Sequence, residues 1–170
     1  MNGNIQGWMG EQELQWLYER AKEMNSIVEL GSWKGKSTEA LLLGCKGTVY
    51  AVDHFRGDSM SFLQQSMVKT EDIYKIFMEN VGHFPNLRVF KMDSAEASKI
   101  IDPVDMVFVD TEHTYKQVTK EIDVWLPKAK KLICGHDWQP AYLYQGLRQG
   151  VREKLGEVQS FRTIWFKEIQ

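Results

Sequence analysis

Residues 28 to 38, "VELGSWKGKST", contain the turn on which the predicted architecture depends. A short apolar run ends at Leu30 and leads directly into a glycine turn, which is followed by residues suited to starting a helix. A phosphate-binding loop has four residues between its first glycine and its Gly-Lys-Ser, whereas this stretch has three. The sequence therefore predicts a strand, a tight loop and a helix around a ligand that the loop alone does not identify.

The loop differs from the binding motifs of two classes of nucleotide ligand. A nucleoside triphosphate fits poorly, because removing one residue redirects every backbone N–H of the loop and Glu29 would repel phosphate. A dinucleotide fits the acid at Asp53, which lies 22 positions after Gly31 and suits a ribose. However, Ser32 and Trp33 interrupt the glycine pattern where the backbone should approach a pyrophosphate.

The composition bounds the class of protein. The chain has 170 residues, 43% of them hydrophobic and 26% charged, which favours one globular domain over residues 1–170. A net charge of −2 gives no general attraction to nucleic acid or to an anionic membrane. With two cysteines in no metal or disulfide spacing and no signal peptide or membrane-length apolar run, we expect a cytoplasmic protein.

Strand and helix patterns alternate along the chain. Such alternation predicts a Rossmann-like, doubly wound α/β fold with a mainly parallel, seven-stranded sheet and a C-terminal antiparallel hairpin. Residues 54–69 are expected to be irregular. Predicted strands cover 26–30, 47–53, 87–92, 104–110 and 131–135, helices cover 10–24, 38–45, 70–82, the segment from 114 through Trp125, and 140–155, and the hairpin covers 157–161 with 163–169.

Polar residues follow each of the predicted parallel strands. In open sheets of this kind, ligands bind beyond the carboxyl ends of the strands. We therefore expect a site built from the positions just past the strands, which are Gly31 to Ser37, Asp53, Asp93, Asp110 and Gly135 to Asp137.

Several motifs together carry a family resemblance. "VELGSWKGKST" is similar to the first motif of class I S-adenosylmethionine-dependent methyltransferases, especially the catechol O-methyltransferase-like form. "VDMVFVDTEHTYKQVTKEIDVWLPKAKKLICGHDW" resembles the sugar and macrolide O-methyltransferase branch. The resemblance covers about residues 26–138. It implies S-adenosylmethionine as cofactor, a ligand that has no phosphate and is compatible with an acidic strand end.

The resemblance also implies roles for the residues of the cofactor site. Glu29 would face the methionine ammonium, and Ser37 would bond the methionine carboxylate at a helix N-terminus. Asp53 would accept the ribose hydroxyls, whereas Asp93 and Ser94 would lie against the adenine. The complete set implied for cofactor binding is Glu29, Gly31, Trp33, Gly35, Ser37, Asp53, His54, Asp93, Ser94 and Asp110.

Catalysis of methyl transfer to oxygen requires a hydroxyl that is held and deprotonated. A divalent cation such as Mg²⁺ lowers the pKa of a bound hydroxyl and prefers oxygen ligands. By resemblance, Asp110 and Asp137 would bind the metal, and His136 stands where better-known relatives carry an oxygen donor. His113 occupies the position of the general base, a role that imidazole suits near neutral pH. Asp110, His113 and Asp137 form the predicted catalytic set.

The predicted function is methyl transfer to a hydroxyl of a small molecule such as a sugar, polyketide or phenol. The alternatives are a methyltransferase for another substrate class without metal, an S-adenosylmethionine-binding protein without transfer, and a fold relative with different chemistry. The expected partner is a small-molecule acceptor, with no nucleic acid and no membrane, and homo-oligomer formation is left open. Residues 1–25 and 54–69 are the expected lid or substrate segments.

Overall fold

A seven-stranded sheet with the order β3-β2-β1-β4-β5-β7-β6 forms the centre of the molecule. The computed structural model describes residues 4–139 and 144–169. The first five strands pair in parallel, while β7 pairs antiparallel with both β5 and β6. This confirms the predicted sheet and its C-terminal hairpin. The strands are β1 (Ser26–Leu30), β2 (Thr48–Val52), β3 (Leu87–Phe90), β4 (Val104–Val109), β5 (Ala129–Gly135), β6 (Gln159–Phe161) and β7 (Ile164–Glu168).

Seven helices lie in the described part of the chain, where the first helix precedes β1 and the others lie between strands. They are α1 (Glu11–Ala21), α2 (Lys36–Gly44), α3 (Phe62–Met67), α4 (Ile73–Val81), α5 (Ser94–Ala97), α6 (Tyr115–Trp125) and α7 (Gln145–Leu155), with a short 3-10 turn at Leu126–Lys128. The first residues of the helix predicted over 140–155 lie outside the described residues, and α7 covers the remainder.

The prediction that residues 54–69 are irregular is wrong for Phe62–Met67, which form α3. The Ser61 hydroxyl caps this helix by accepting a hydrogen bond from the Gln64 N–H at 3.3 Å. None of the six residues of α3 is buried. A helix without a buried face needs no apolar periodicity, and the sequence shows none that would predict α3. The short α5 was missed as well, and the Asp93 carboxylate begins it by accepting from the Ala95 N–H at 2.9 Å.

The helices cover both faces of the sheet. On one face, α1, α2 and α4 pack through residues such as Leu17, Leu41 and Phe77. On the other face, α6 and α7 contribute the fully buried Ile122 and Val151. Strands β1 and β4 are buried on both sides, which explains why their sequences are mainly apolar and interrupted only by Glu29 and Asp105 after the first residue of β1.

The strand order reverses between β1 and β4, and the glycine loop begins at this point. Gly31 has φ +85°, and a Cβ on it would lie 2.0 Å from the Asp110 carbonyl oxygen. The Gly31 N–H donates to Val52 at 2.9 Å, and the Asp110 N–H donates to Leu30 at 2.8 Å. Glycine is therefore required here because the loop passes directly against the end of β4.

Two further features bear on the sequence predictions. Among the described residues, no helix combines the length and apolar character that crossing a bilayer requires. Cys45 and Cys134 are both buried free thiols. Burial raises the pKa of each thiol, so both stay protonated and unreactive.

Replacing Gly31 by alanine tests the contact between the loop and β4. We expect Gly31→Ala to reduce the free energy of unfolding by about 3 kcal/mol or more, because a clash with backbone adds to the strain of a positive φ. Chemical denaturation measures the loss. Gly156→Ala is the matched control, since Gly156 has φ +72° but open space around its Cβ position. Equal losses in the two variants would contradict the proposed clash.

Candidate active site

A cleft of about 1190 Å³ lies at the carboxyl ends of the parallel strands. Its walls come from the loops after these strands, from the segment before α1 and from the turn between β6 and β7. Every residue that was assigned to cofactor binding, metal binding or catalysis lines the cleft except Glu29 and Gly35. The sheet topology therefore brings together residues that lie far apart in sequence.

Glu29 lies beneath the glycine loop rather than in the wall of the cleft. Its side chain is fully buried. It accepts hydrogen bonds from the hydroxyls of Ser32 at 2.7 Å, Ser37 at 2.6 Å and Thr38 at 2.5 Å. Burial raises the pKa of Glu29 to about 7, with the three hydroxyls opposing the rise and the charge of Asp110 adding to it. In this arrangement Glu29 holds the loop, and the Ser37 hydroxyl is already engaged.

Asp53 holds the same loop from the side of β2. One carboxylate oxygen accepts from the N–H groups of Ser32 at 2.9 Å and Trp33 at 2.8 Å, and the other accepts from Phe55 at 2.6 Å. A carboxylate has about four acceptor positions, so about one remains for a ligand. Next to it, the His54 Nδ1 accepts from the Arg56 N–H at 3.0 Å. Asp53 and His54 both line the cleft.

Trp33 occupies the middle of the glycine loop with φ +48°, which is uncommon for a residue with a side chain. Its indole packs at 5.9 Å between ring centroids from Trp8, in the segment before α1. The buried indole N–H has no hydrogen-bond partner among the described residues. Trp33 therefore lines the cleft, while its indole N–H is buried behind the cleft surface.

Two lysines of the loop fasten the segment before α1. The Lys34 side chain is buried. Its ammonium donates to the Gln6 side chain at 2.7 Å and pairs with Glu71. The Lys36 ammonium donates to the Gly7 carbonyl at 3.1 Å. Lys34 is therefore directed away from the cleft, whereas Lys36 lines the cleft and is restrained by its bond to Gly7.

The expected adenine end of the cleft is held by protein contacts. Asp93 caps α5 and pairs with Lys120 at 3.2 Å. The Ser94 hydroxyl donates to the buried Glu121 at 2.5 Å, and the Thr111 hydroxyl donates to the other oxygen of Glu121 at 2.6 Å. Glu121 thus ties the turn after β3 to the turn after β4.

At the other end of the cleft, carboxylates and imidazoles form a cluster. Asp110, His113 and Asp137 each place one potential ligand atom within 4.8 Å of the others. Asp137 has φ +60°, so its backbone is strained in the left-handed region. Burial raises the pKa of Asp110 above its usual range. Burial acts in the same direction on Asp137, but hydrogen bonds with His113 and His136 outweigh it and hold the pKa of Asp137 well below its usual range.

His113 lies between two carboxylates. Its Nε2 is 2.6 Å from the Asp137 carboxylate, its Nδ1 is 3.5 Å from Asp58, and its ring stacks on Tyr144. Burial lowers the pKa of His113, but the hydrogen bonds to Asp137 and Asp58 outweigh it and raise the pKa to about 10. In this arrangement the imidazole is protonated at neutral pH. It can act as the predicted base only when a carboxylate partner is drawn away.

His136 is almost fully buried beside the same carboxylates. Its Nδ1 lies 3.2 Å from Asp137 and 3.8 Å from Asp110, while its Nε2 lies 3.0 Å from the Thr163 hydroxyl and 3.6 Å from Glu13. Burial lowers the pKa of His136, but its carboxylate neighbours raise it to about 9. His136 therefore lies beside the same carboxylate as His113, although the group of ligand atoms within 4.8 Å of one another includes His113 and leaves out His136.

Three acids of the site were missed in the sequence. Asp58 follows β2 within "FRGD" and gives no periodic signal. Glu13 lies one turn before Leu17 on the buried face of α1, and a carboxylate on an apolar face is a signal that could have been used. Glu121 likewise precedes Ile122 on the buried face of α6.

Comparisons with known proteins agree with the fold. A family model described as "Methyltransferase domain" matches residues 28–138. No curated protein matches the chain. An O-methyltransferase from Bacillus cereus, solved in complex with SAH, aligns with a TM-score of 0.64 and 15% identity over 98% of this chain and 85% of that chain. An SAH-bound methyltransferase from Podospora anserina aligns with a TM-score of 0.65 and 12% identity over 94% of this chain and 78% of that chain.

The raised pKa of Glu29 predicts a specific pH dependence of stability. The folded state binds the Glu29 proton more tightly than the unfolded chain does, because the pKa of Glu29 is about 7 in the folded state and 4.5 in the unfolded chain. The protonated carboxyl therefore contributes to stability below pH 4.5, and this contribution is lost as the pH rises through about 7. Glu29→Gln should remove it. We expect the unfolding free energy of the native chain to fall by about 1–3 kcal/mol relative to the variant over this range.

Denaturant titrations at a series of pH values measure this difference. Glu157→Gln, at an exposed position, is the matched control and should run parallel to the native chain. A Glu29→Gln profile that is also parallel to the native profile would show that Glu29 titrates normally.

Proposed function

This chain belongs to the methyltransferase-domain family, and on that premise we propose that it moves a methyl group from S-adenosylmethionine to a hydroxyl of a small molecule. The observation that carries the proposal is the charge of the cleft. Acidic residues lie at both of its ends and outnumber the basic lining residues Lys36, Arg56 and Arg162, while the Lys34 ammonium pairs with Glu71 outside the cleft. A cleft of this kind disfavours phosphate and favours a ligand that bears a sulfonium and an ammonium.

Each part of the cofactor has a proposed contact. The remaining acceptor position of Asp53 would take a ribose hydroxyl, and Asp93 with Ser94 would form the adenine wall. The N-terminus of α2, at Ser37, suits the methionine carboxylate because the first N–H groups of a helix lack intrahelical acceptors. Glu29 would act on the methionine end through the loop that it supports. The cleft volume of about 1190 Å³ leaves room for an acceptor beside the cofactor.

The transfer itself requires positioning. The sulfonium supplies the electrophilic methyl group, so the chain must hold the acceptor oxygen in line with it and remove or share its proton. Asp110, His113 and Asp137 are the groups proposed for that task. If the Asp137 carboxylate moved away from His113, the pKa of His113 would fall, and the neutral imidazole could then accept a proton.

The donor set also fits a divalent cation. Two carboxylates and an imidazole within 4.8 Å of one another can converge on one ion, and Asp110, Asp137 and a histidine would hold it. When bound, such an ion lowers the pKa of a hydroxyl and orients it. The chain's own carboxylates supply the negative charge that the cation requires.

We further propose that the mouth of the cleft recognises the apolar part of the acceptor. Trp8, Met60 and Leu63 line it and keep more than half of their surfaces exposed. They lie in the two segments, within 1–25 and 54–69, that the sequence suggested as lid or substrate regions. Helix α1, in the first of these segments, packs in the core, so the proposed lid there is limited to the residues before it.

One observation favours the alternative of a methyltransferase without metal. His113 already has a carboxylate at each ring nitrogen, an arrangement that orients an imidazole without any ion. This alternative and the metal-assisted mechanism place the same residues around the acceptor. Location in the cytoplasm, a single domain over 1–170 and homo-oligomer formation stay predictions.

Calorimetry with S-adenosylmethionine, NAD and ATP tests the proposal. We expect S-adenosylmethionine to bind and the other two to fail, because the acidic residues that line the cleft would repel phosphate groups. Asp53→Asn should weaken binding about 10- to 100-fold, since it removes a charged hydrogen-bond acceptor. Asp102→Asn, at an exposed position outside the cleft, is the control. Binding of NAD or ATP in place of S-adenosylmethionine would refute the proposed function.

A further inference from the structure

The turn between β6 and β7 carries an arginine in a backbone conformation that arginine does not favour. Phe161 pairs with Ile164, so Arg162 and Thr163 form a two-residue hairpin loop. Arg162 has φ +53°. Two-residue loops with positive φ at the first central residue favour glycine, asparagine or aspartate there. Since residues in unfavourable backbone regions cluster at functional sites, the side chain of Arg162 calls for an explanation.

The Arg162 side chain is exposed, lines the cleft and is held by one contact. Its Nε donates to the side-chain oxygen of Gln12 at 2.7 Å. Within the described part of the chain, no carboxylate forms an ion pair with this guanidinium. The bond at Nε orients the planar group and leaves its two terminal nitrogens available. Two such nitrogens match the two oxygens of a carboxylate.

Contacts of the neighbouring residue join this turn to the carboxylates and imidazoles of the cleft. The hydroxyl and N–H of Thr163 both donate to Glu13, which follows Gln12 in the first turn of α1. The Thr163 hydroxyl also lies 3.0 Å from the His136 Nε2, and the His136 Nδ1 lies 3.2 Å from Asp137. The first turn of α1 therefore holds Arg162 at the entrance of the cleft, close to the proposed position of the acceptor hydroxyl.

We propose that Arg162 is a specificity-determining residue, which binds a carboxylate of the acceptor while the acceptor hydroxyl lies beside Asp137. The acceptor is then a small hydroxy acid. This assignment deepens the proposed function and rests on it for the identity of the reaction. One guanidinium balances one carboxylate charge, whereas a phosphate dianion would need more positive charge than a mainly acidic cleft supplies.

The other two basic residues that line the described part of the cleft are less suited to this role. The Lys36 ammonium donates to the Gly7 carbonyl at 3.1 Å and lies in the first turn of α2, at the proposed methionine end. Arg56 is exposed, and its hydrogen bonds involve its backbone groups. An arginine side chain that no contact orients loses more conformational entropy on binding. Arg162 is oriented before the acceptor arrives.

Binding of matched probes provides the experiment. 3-Hydroxybenzoate and 3-hydroxybenzamide differ only at the carboxylate, and glucuronate and glucose form a second such pair. Each compound is titrated by calorimetry into the chain alone and into the chain saturated with S-adenosylhomocysteine. We expect the carboxylate member of at least one pair to bind about 10-fold more tightly than its neutral partner, because it gains a charge-assisted bidentate contact.

Variants connect this preference to Arg162. Arg162→Gly should reduce it to less than about 2-fold, while the midpoint of thermal unfolding stays the same or rises because glycine suits the positive φ. Gln12→Ala should weaken binding of the carboxylate probe a few-fold and leave the neutral probe unchanged, since the guanidinium loses its orientation. Arg152→Gln, at an exposed position outside the cleft, is the matched control and should keep the preference.

Three outcomes would overturn the proposal. The carboxylate probe of neither pair binds more tightly than its neutral partner, Arg162→Gly keeps the preference, or Arg162→Gly weakens binding of S-adenosylhomocysteine as strongly as that of the carboxylate probe. The last result would assign Arg162 to the cofactor. Failure of the proposed function is separable, because a chain that fails to bind S-adenosylmethionine but prefers the carboxylate probe would refute the methyl transfer and leave the carboxylate site in place.

Discussion

The buried carboxylate of Glu29 is the interaction on which the rest of the site depends. Three hydroxyls converge on it from the glycine loop and the first turn of α2. Asp53 holds the outer side of the same loop through two N–H groups. Since the loop is also pressed against the end of β4 at Gly31, the two acids together hold the glycine loop at a fixed position beside the acid–imidazole end of the cleft.

The site concentrates negative charge and balances it with imidazole. Two acids at the ends of β4 and β5 are supported by Asp58 and Glu13, and the two histidines lie among the four. At the short distances within a buried site, charges interact strongly, so carboxylates of this density are stable only with cations between them. A proton on each imidazole or a bound metal ion meets the same requirement. This equivalence explains why a well-ordered cluster forms from the chain alone.

The sequence predicted the sheet and the acids at the strand ends because both follow from the pattern of strands and helices along the chain. Parallel strands end at one edge, so Asp53, Asp110 and Asp137 had to come near one another. It could not predict Asp58 or Glu13, because their contacts join parts of the chain that no periodic pattern connects. The sequence also could not predict that the Glu29 side chain points under the glycine loop. Its burial there depends on where Ser32, Ser37 and Thr38 place their hydroxyls. Helix α3 was missed because it has no buried face.

The bond between Glu13 and Thr163 spans 150 positions of sequence, and its two ends meet behind His136. Contacts of such separation form late, since the chain must first pay the entropy of closing the loop between them. During synthesis, α1 emerges long before Thr163, so Glu13 waits without its partner until nearly the whole domain has left the ribosome. The imidazole of His136 therefore gains its final orientation only at the end of folding, when the turn between β6 and β7 packs against α1.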